Sequence, residues 1–281
     1  MKFGIIVDSG CDLKVLKGSK QSDIYYERVP LTLRVGEKEF VDNNELDVSG
    51  FMTEMKAYSG ATSSAAPSPM NWYNAFMSAD EVFAITITSE LSGSYNSAMT
   101  AKKMVLEKNQ DKKIYIIDSK SAGPGLAILA EKLQELISEG HSFEEIKEQI
   151  EAYKKRTKLL FILESLDNLI KNGRVSRLQG SMAGILGIKI LCCASEKGTI
   201  EILKKCRGKL TVYDKMFHEM EENAYKGGKI IISHCFNNEK VQYIEKTIKE
   251  KFPQSQIEIM PTGGLCSYYA EQGGIIVAFE S

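Results

Sequence analysis

Short runs of β-branched and aromatic residues at positions 3–7, 82–88 and 113–117 alternate with amphipathic stretches. Strands need only a few such residues bounded by turn formers, whereas apolar positions three and four apart mark one face of a helix. The first half therefore reads as strand and helix in alternation, the signature of a parallel sheet with crossover helices. Residues 29–35 are expected to form one arm of a polar-edged hairpin turning at Gly36-Glu37, and Phe51, Met55 and Tyr58 recur at helical spacing as core contacts. Ser142-Phe143-Glu144-Glu145 has the form of a capping box and starts a charged helix that runs towards Thr157. Beyond it, apolar runs at 159–163, 188–193, 199–204, 230–235, 256–260 and 275–279 are separated by helices of unequal length. A mixed sheet with helices on one face fits that spacing. The expected fold class is α/β, with an N-terminal parallel-sheet domain over residues 1–157 and a C-terminal mixed-sheet domain over 158–281.

Composition removes several function classes. Thirty-six basic against 37 acidic side chains give a formal charge of −1, with no basic run interleaved with aromatics, so a broad footprint for nucleic acid is not expected. The segment Met1–Asp8 becomes charged too early for a secretory signal. The longest apolar candidate for a membrane span, around residues 185–194, is interrupted by Lys189. A cytoplasmic protein without an integral membrane segment is the expectation. The six cysteines contain no Cys-x-x-Cys pair and sit mostly in apolar runs, so they read as reduced core thiols without metal. Adjacent Cys192 and Cys193 would point to opposite faces of a strand.

Candidate chemistry gathers where three first-half strands end. Asp8-Ser9-Gly10, the loop from Ser89 to Ser94 and the loop from Asp118 to Gly125 are rich in serine and glycine. In an open α/β sheet, ligands bind outside the carboxyl ends of the strands, so these loops would line one site. A helix begins after Ser92, and its free N–H groups with the Ser92 and Ser94 hydroxyls suit an anion; equally, Ser92 is a simple helix cap. The hydroxyl-rich stretch 61–69, stiffened by Pro67 and Pro69, reads as a linker from composition, or else as a binding element. Arg174, beside Gly173, is either solvated or within reach of an anionic ligand, and the small residues among large apolar ones at 181–188 reflect close packing or a channel. Phosphate-binding glycine loops and the nucleophile elbow are missing from the sequence. Of the three histidines, only His234 ends a strand, where it reads as a satisfied sheet-end residue rather than a base.

Six short motifs then occur in an order that resembles the DegV family. They are Thr62-Ser63, the run from Ile87 to Ala98, Ile117-Asp118-Ser119, Gly173-Arg174-Val175-Ser176, Ile188-Lys189 and Cys206-Arg207-Gly208, preceded by the N-terminal Ile-Val-Asp-Ser. The resemblance covers nearly the whole chain and implies a two-domain DegV-like fold that holds one long-chain fatty acid. It also implies no enzymatic activity and no cofactor, with presentation of the carboxylate to a separate fatty acid kinase. By the same resemblance Thr62, Ser63 and Ser92 bind the carboxylate, Gly93 and Ser94 supply nearby donors, Arg174 lies near the head group, and Arg207 serves kinase docking. Residues 182–190 would line part of an acyl tunnel. The family's Thr-Ser-Gln-Pro loop reads Thr62-Ser63-Ser64-Ala65-Ala66-Pro67 here, and Tyr269 stands where many members carry a histidine. A tyrosine still donates to a carboxylate but carries no positive charge. The competing readings are a serine-dependent acyl hydrolase using Ser92 or Ser94, and a sensor of a phosphate ligand.

Overall fold

A computed structural model describes residues 2–18, 23–176, 188–208 and 211–281. In chain order the elements are β1 (Phe3–Asp8), β2 (Ile24–Val29), β3 (Thr32–Val35), β4 (Lys38–Val41), α1 (Val48–Ala57), β5 (Thr62–Ala65), α2 (Pro69–Phe76), β6 (Glu81–Thr86), α3 (Ser94–Lys108), β7 (Lys113–Asp118), α4 (Pro124–Ser138) and α5 (Phe143–Arg156). There follow β8 (Thr157–Leu163), α6 (Asp167–Lys171), β9 (Ile188–Ala194), β10 (Ile200–Arg207), α7 (Thr211–Glu222), β11 (Lys229–His234), α8 (Asn238–Lys251), β12 (Gln256–Pro261), α9 (Gly264–Ala270) and β13 (Ile275–Glu280).

The first sheet is wholly parallel, in the order β2-β1-β6-β7, and the second is mixed, in the order β10-β9-β8-β13-β11-β12. Within the second, only β11 and β12 run parallel among the described strands. Both sheets match the α/β pattern read from the sequence. Helix α4 carries Leu126, Ala127, Ile128, Leu129, Ala130, Leu133 and Leu136 all buried, and its first half, through Ala130, has no wet face. A helix that is apolar all round must be covered on all sides. Here it packs on β1 and β6 of the first sheet and on β11 and β13 of the second, so one core of aliphatic side chains is shared by both sheets. A separate core, with Leu160, Ile162, Ile230, Val277 and Phe279 against α7 and α8, fills the far face of the mixed sheet. Helices α7 and α8 lie on that face, but the expectation of helices on one face only does not hold: α6 and α9 place Leu169, Cys266 and Ala270 in the shared core on the other face, beside α4 of the first half. Cys192 enters the first of these cores while Cys193 packs against the second, and all six cysteines are free thiols.

Three local readings change. Val29 ends β2 and pairs in parallel with β1, so the hairpin proper is β3 turning at Gly36-Glu37 into β4. Gly36 adopts φ +60, a conformation that a side chain resists, which fixes the turn there. Tyr58 lies beyond α1 and is 44% exposed, so of the three residues at helical spacing only Phe51 is fully buried. Residues 62–65 are not a linker but an edge strand pairing antiparallel with β3. Composition hides this strand because serine and alanine carry little strand propensity; pairing with β3 supplies what propensity lacks. The capping box at Ser142 and Glu145 is present, with the Ser142 hydroxyl accepting from the Glu145 N–H and the Glu145 side chain accepting from the Ser142 N–H.

Candidate functional site

Parallel pairing brings the carboxyl ends of β1, β6 and β7 to one edge, and an aspartate at two of these ends ties down the loops that follow. Asp8, fully buried, accepts from Gly10 N–H at 3.0 Å, from Ile87 N–H at 2.9 Å and from the Ser94 hydroxyl at 2.5 Å. Burial raises its pKa to about 6, against the opposing pull of these donors and of Arg28. At the end of β7, Asp118 accepts from the backbone N–H groups of Ser89 and Lys120 and pairs with the Lys120 ammonium at 2.7 Å. Burial opposes its ionisation, but the Lys120 and Ser89 donors together hold the carboxyl below its ordinary value.

Asp12 adds a link across the molecule: it accepts from Gly263 N–H at 2.7 Å, while Asp42 accepts from Gly264 and Leu265 N–H, each at 2.9 Å. The N-terminus of α9 is thus capped by carboxylates from the other half of the chain, which suits the positive end of a helix. Burial raises Asp12 to about 6 as well. Native Asp8 and Asp12 hold their protons more tightly than the unfolded chain does. Their contribution is therefore fully present below about pH 4 and is lost as pH rises towards 6, by on the order of 3 kcal/mol for each. A carbon-detected NMR titration of the aspartate carboxyls should show two midpoints near 6; native midpoints below 4 would contradict this account.

Between these loops and the mixed sheet lies a cavity of about 120 Å³. Leu159, Phe161 and Leu163 of β8 form its floor, since alternate residues of a strand share a face, and Ile276, Leu169, Ile200 and Leu265 add to the apolar wall. From Leu159 to Leu163 the floor runs roughly 13 Å, at about 3.4 Å per residue. Hydroxyls line it in two groups, one of them accompanied by the single lining guanidinium, that of Arg174. Ser64 and Tyr269 hydroxyls are 2.8 Å apart, and Ser92, Gly93 and Arg174 line the same wall. Thr88, Lys120, Ser121 and Thr199 line the end near Leu159. Lys120 is neutralised there by Asp118, so Arg174 is the cation at the Ser64 end.

The residues singled out from the sequence do not all reach this cavity. Ser92, Gly93, Arg174 and Tyr269 line it. Ser92 Oγ accepts from Ser94 N–H at 3.2 Å, a turn bond that leaves the Ser92 hydroxyl proton available to donate. The helix cap itself is Gly93, which makes no side-chain cap bond. Ser94 is fully buried and its hydroxyl is spent on Asp8, so it organises the loop from behind. Thr62 borders a neighbouring open cleft with Lys56 and Asn168, and its hydroxyl meets that of Tyr268 at 2.7 Å. Ser63 alternates to the other face of β5, where it stands opposite Arg34.

The hydroxyl that β5 brings to the cavity is Ser64, which sequence reading passed over. Counting three residues back from Pro67, rather than forward from Thr62, places Ser64 at the first position of the Thr-Ser-Gln-Pro pattern, and that count was the available signal. Thr88, Lys120 and Ser121 fall in or beside loops that the sequence marked, whereas Thr199 arrives only through the β9–β10 turn. Of the stretch 182–190, residues 182–187 lie outside the described residues and Ile190 packs in the shared core. His234 sits at the end of β11, where its Nδ1 accepts from Asn237 N–H at 3.2 Å and burial lowers its pKa. No histidine lines the cavity among the described residues, and none of their His, Cys, Asp and Glu side chains form a cluster fit for a metal ion. None of the described helices is long and apolar enough to cross a membrane.

Fold and site together define a class: an α/β protein with a parallel and a mixed sheet packed on one helix, and an internal apolar cavity that meets hydroxyl-bearing loops at the edge of the parallel sheet. The family described as "Uncharacterised protein, DegV family" matches residues 2–281, and the chain belongs to the DegV family. A DegV domain-containing protein of Streptococcus gordonii is 46% identical over 280 residues, covering 100% of this chain and 99% of that protein. The Fatty Acid Kinase (Fak) B3 protein of Streptococcus pneumoniae, crystallised loaded with linoleic acid, is 44% identical with a TM-score of 0.96, covering 100% of this chain and 99% of its own. A DegV family protein of Eubacterium eligens loaded with heptadecanoic acid is 40% identical with a TM-score of 0.95, covering 99% of both chains.

Proposed function

We propose that this protein binds one long-chain fatty acid in the cavity, carboxylate at the Ser64–Tyr269 end and acyl chain along β8, and presents the head group to a fatty acid kinase. The observation that carries the reading is the cavity itself: apolar along its floor, with the paired Ser64 and Tyr269 hydroxyls and the Arg174 guanidinium on its wall, while the other lining cation, Lys120, is paired with Asp118. Burying about 14 methylenes at roughly 0.8 kcal/mol each gives on the order of 11 kcal/mol of gross driving force before ordering costs. The tail therefore sets affinity. A carboxylate drawn out of water is costly unless it is hydrogen-bonded, so the Ser64, Ser92 and Tyr269 hydroxyls, with Arg174 behind them, fix which end of the ligand lies there. Burial raises the Tyr269 pKa, which keeps its phenol protonated as a donor at neutral pH.

Presentation to a kinase rests on the relatives, and Arg207, exposed at the end of β10, is the basic position offered for docking. The hydrolase reading loses ground because Ser94 is closed in by Asp8 and, among the described residues, no histidine lines the cavity beside Ser92. A phosphate ligand would leave the apolar floor unfilled. Solvent extraction of freshly purified protein, followed by mass spectrometry, should recover a long-chain fatty acid close to one per chain. Protein that is always empty and takes up no added palmitate would overturn the proposal.

A further inference from the structure

The buried phenol of Tyr268 lies between two side chains from opposite halves of the protein. It is fully buried, with its ring 6.3 Å from that of Phe51 and 4.7 Å from that of Tyr269. Its hydroxyl meets the Asn172 Nδ2 at 2.8 Å and the Thr62 Oγ1 at 2.7 Å. An amide nitrogen only donates, so the Tyr268 oxygen accepts from Asn172, and the same hydroxyl shares a hydrogen bond with that of Thr62. One chain of contacts thus links Asn172, Tyr268 and Thr62. Asn172 in turn fixes the next link, because its backbone oxygen accepts from Arg174 Nη1 at 2.6 Å, while Arg174 Nε donates to Leu91 O at 3.2 Å. The same turn is pinned from a second side, where Asn172 Nδ2 donates to Asn168 O and Asn168 Nδ2 to Tyr268 O, each at 2.9 Å. Gly173, at φ +73, lets the chain reverse between the asparagine and the arginine. The guanidinium then stands 5.9 Å from the centre of the Tyr269 ring, on the wall of the cavity.

We infer that Thr62, Tyr268 and Asn172 form a positioning relay that holds Arg174 beside the head-group site, with Thr62 acting through Tyr268 rather than as a ligand. The inference rests on the carboxylate-binding reading above and assigns to Thr62 a role other than the one implied by family resemblance. Two features favour a relay over direct contact. Ser64, two residues along the same face of β5, is the hydroxyl that lines the cavity, and Thr62 faces the neighbouring cleft. An arginine whose Nε and Nη1 are committed to backbone carbonyls is oriented by whatever orients those carbonyls. Because the arginine recognises charge, the relay governs preference for an acid over an uncharged chain and leaves the grip on the tail untouched.

The test compares dissociation constants of palmitate and hexadecanol for the full chain and its variants. Thr62→Val, Tyr268→Phe and Asn172→Ala should each weaken palmitate binding about fivefold to tenfold with hexadecanol binding unchanged, and Thr62→Ser should restore the wild-type ratio. In a double-mutant cycle, Thr62→Val added to Tyr268→Phe should cost no more than Tyr268→Phe alone, since both break one chain. A full, additive loss from Thr62→Val in the Tyr268→Phe background would overturn the relay by making Thr62 a direct ligand. An unchanged acid-to-alcohol ratio in all three single variants would overturn it as well. Should Tyr268→Phe fail to fold, the cycle is run with Asn172→Ala. Failure of the parent reading looks different, because wild-type protein would then bind neither probe.

Discussion

Replacing Ser64 with alanine and Tyr269 with phenylalanine together should lower affinity for a long-chain fatty acid about a hundredfold, with little effect on the corresponding alcohol. The two hydroxyls are 2.8 Å apart on the cavity wall, and a hydrogen bond to a charged group contributes about 1.5 to 3 kcal/mol, so losing one to the carboxylate from each side chain is worth at least about two powers of ten. Neither substitution takes a group out of the aliphatic core, so the stability cost should be small. Ser63→Ala, on the opposite face of β5, should leave binding unchanged, and Ser94→Ala should show its effect in stability through the lost Asp8 bond. Isothermal titration or fluorescent-lipid displacement with acid and alcohol in parallel reads the double variant and Ser63→Ala, and urea unfolding reads Ser94→Ala. A double variant that binds the acid as tightly as wild type would remove the head group from this end of the cavity.

The second large effect belongs to the core. Leu129 is fully buried near the middle of α4, the helix shared by the parallel and mixed sheets. Leu129→Ala removes apolar contact and leaves a void, and because sheets flank the helix on both sides the walls have little freedom to collapse. A loss of about 3 to 4 kcal/mol is expected, at the upper middle of the range for buried leucines. Urea unfolding, comparing midpoints at constant slope, measures it. A loss below about 1 kcal/mol would mean that the two sheets do not share this core. The consequence for function is direct, because the shared core underlies both the loops and the floor of the cavity.

Fold class was legible from the first reading because strand and helix periods depend only on which side chains must leave water. The parallel first sheet, the mixed second sheet and the capping box at Ser142 all follow from that local rule. Strand β5 was not, since Thr-Ser-Ser-Ala has no apolar alternation and becomes a strand only by pairing with β3. The same loss of signal favours Thr62 over Ser64: the two share one face of β5, two residues apart, and no spacing rule in a polar stretch says which of them reaches the cavity.

Sequence by itself determined that this chain forms alternating strands and helices, that serine- and glycine-rich loops end its first-half strands, and that its motifs follow the order of one family. Only the tertiary structure decided which hydroxyls share a cavity and which serve as supports. It closed Ser94 onto Asp8, turned Thr62 onto Tyr268 and brought Ser64 beside Tyr269, 205 residues further along the chain. The physical reason is that burial and period are local properties, readable within a few residues, whereas the partner of a hydroxyl is fixed by how two sheets pack on one helix.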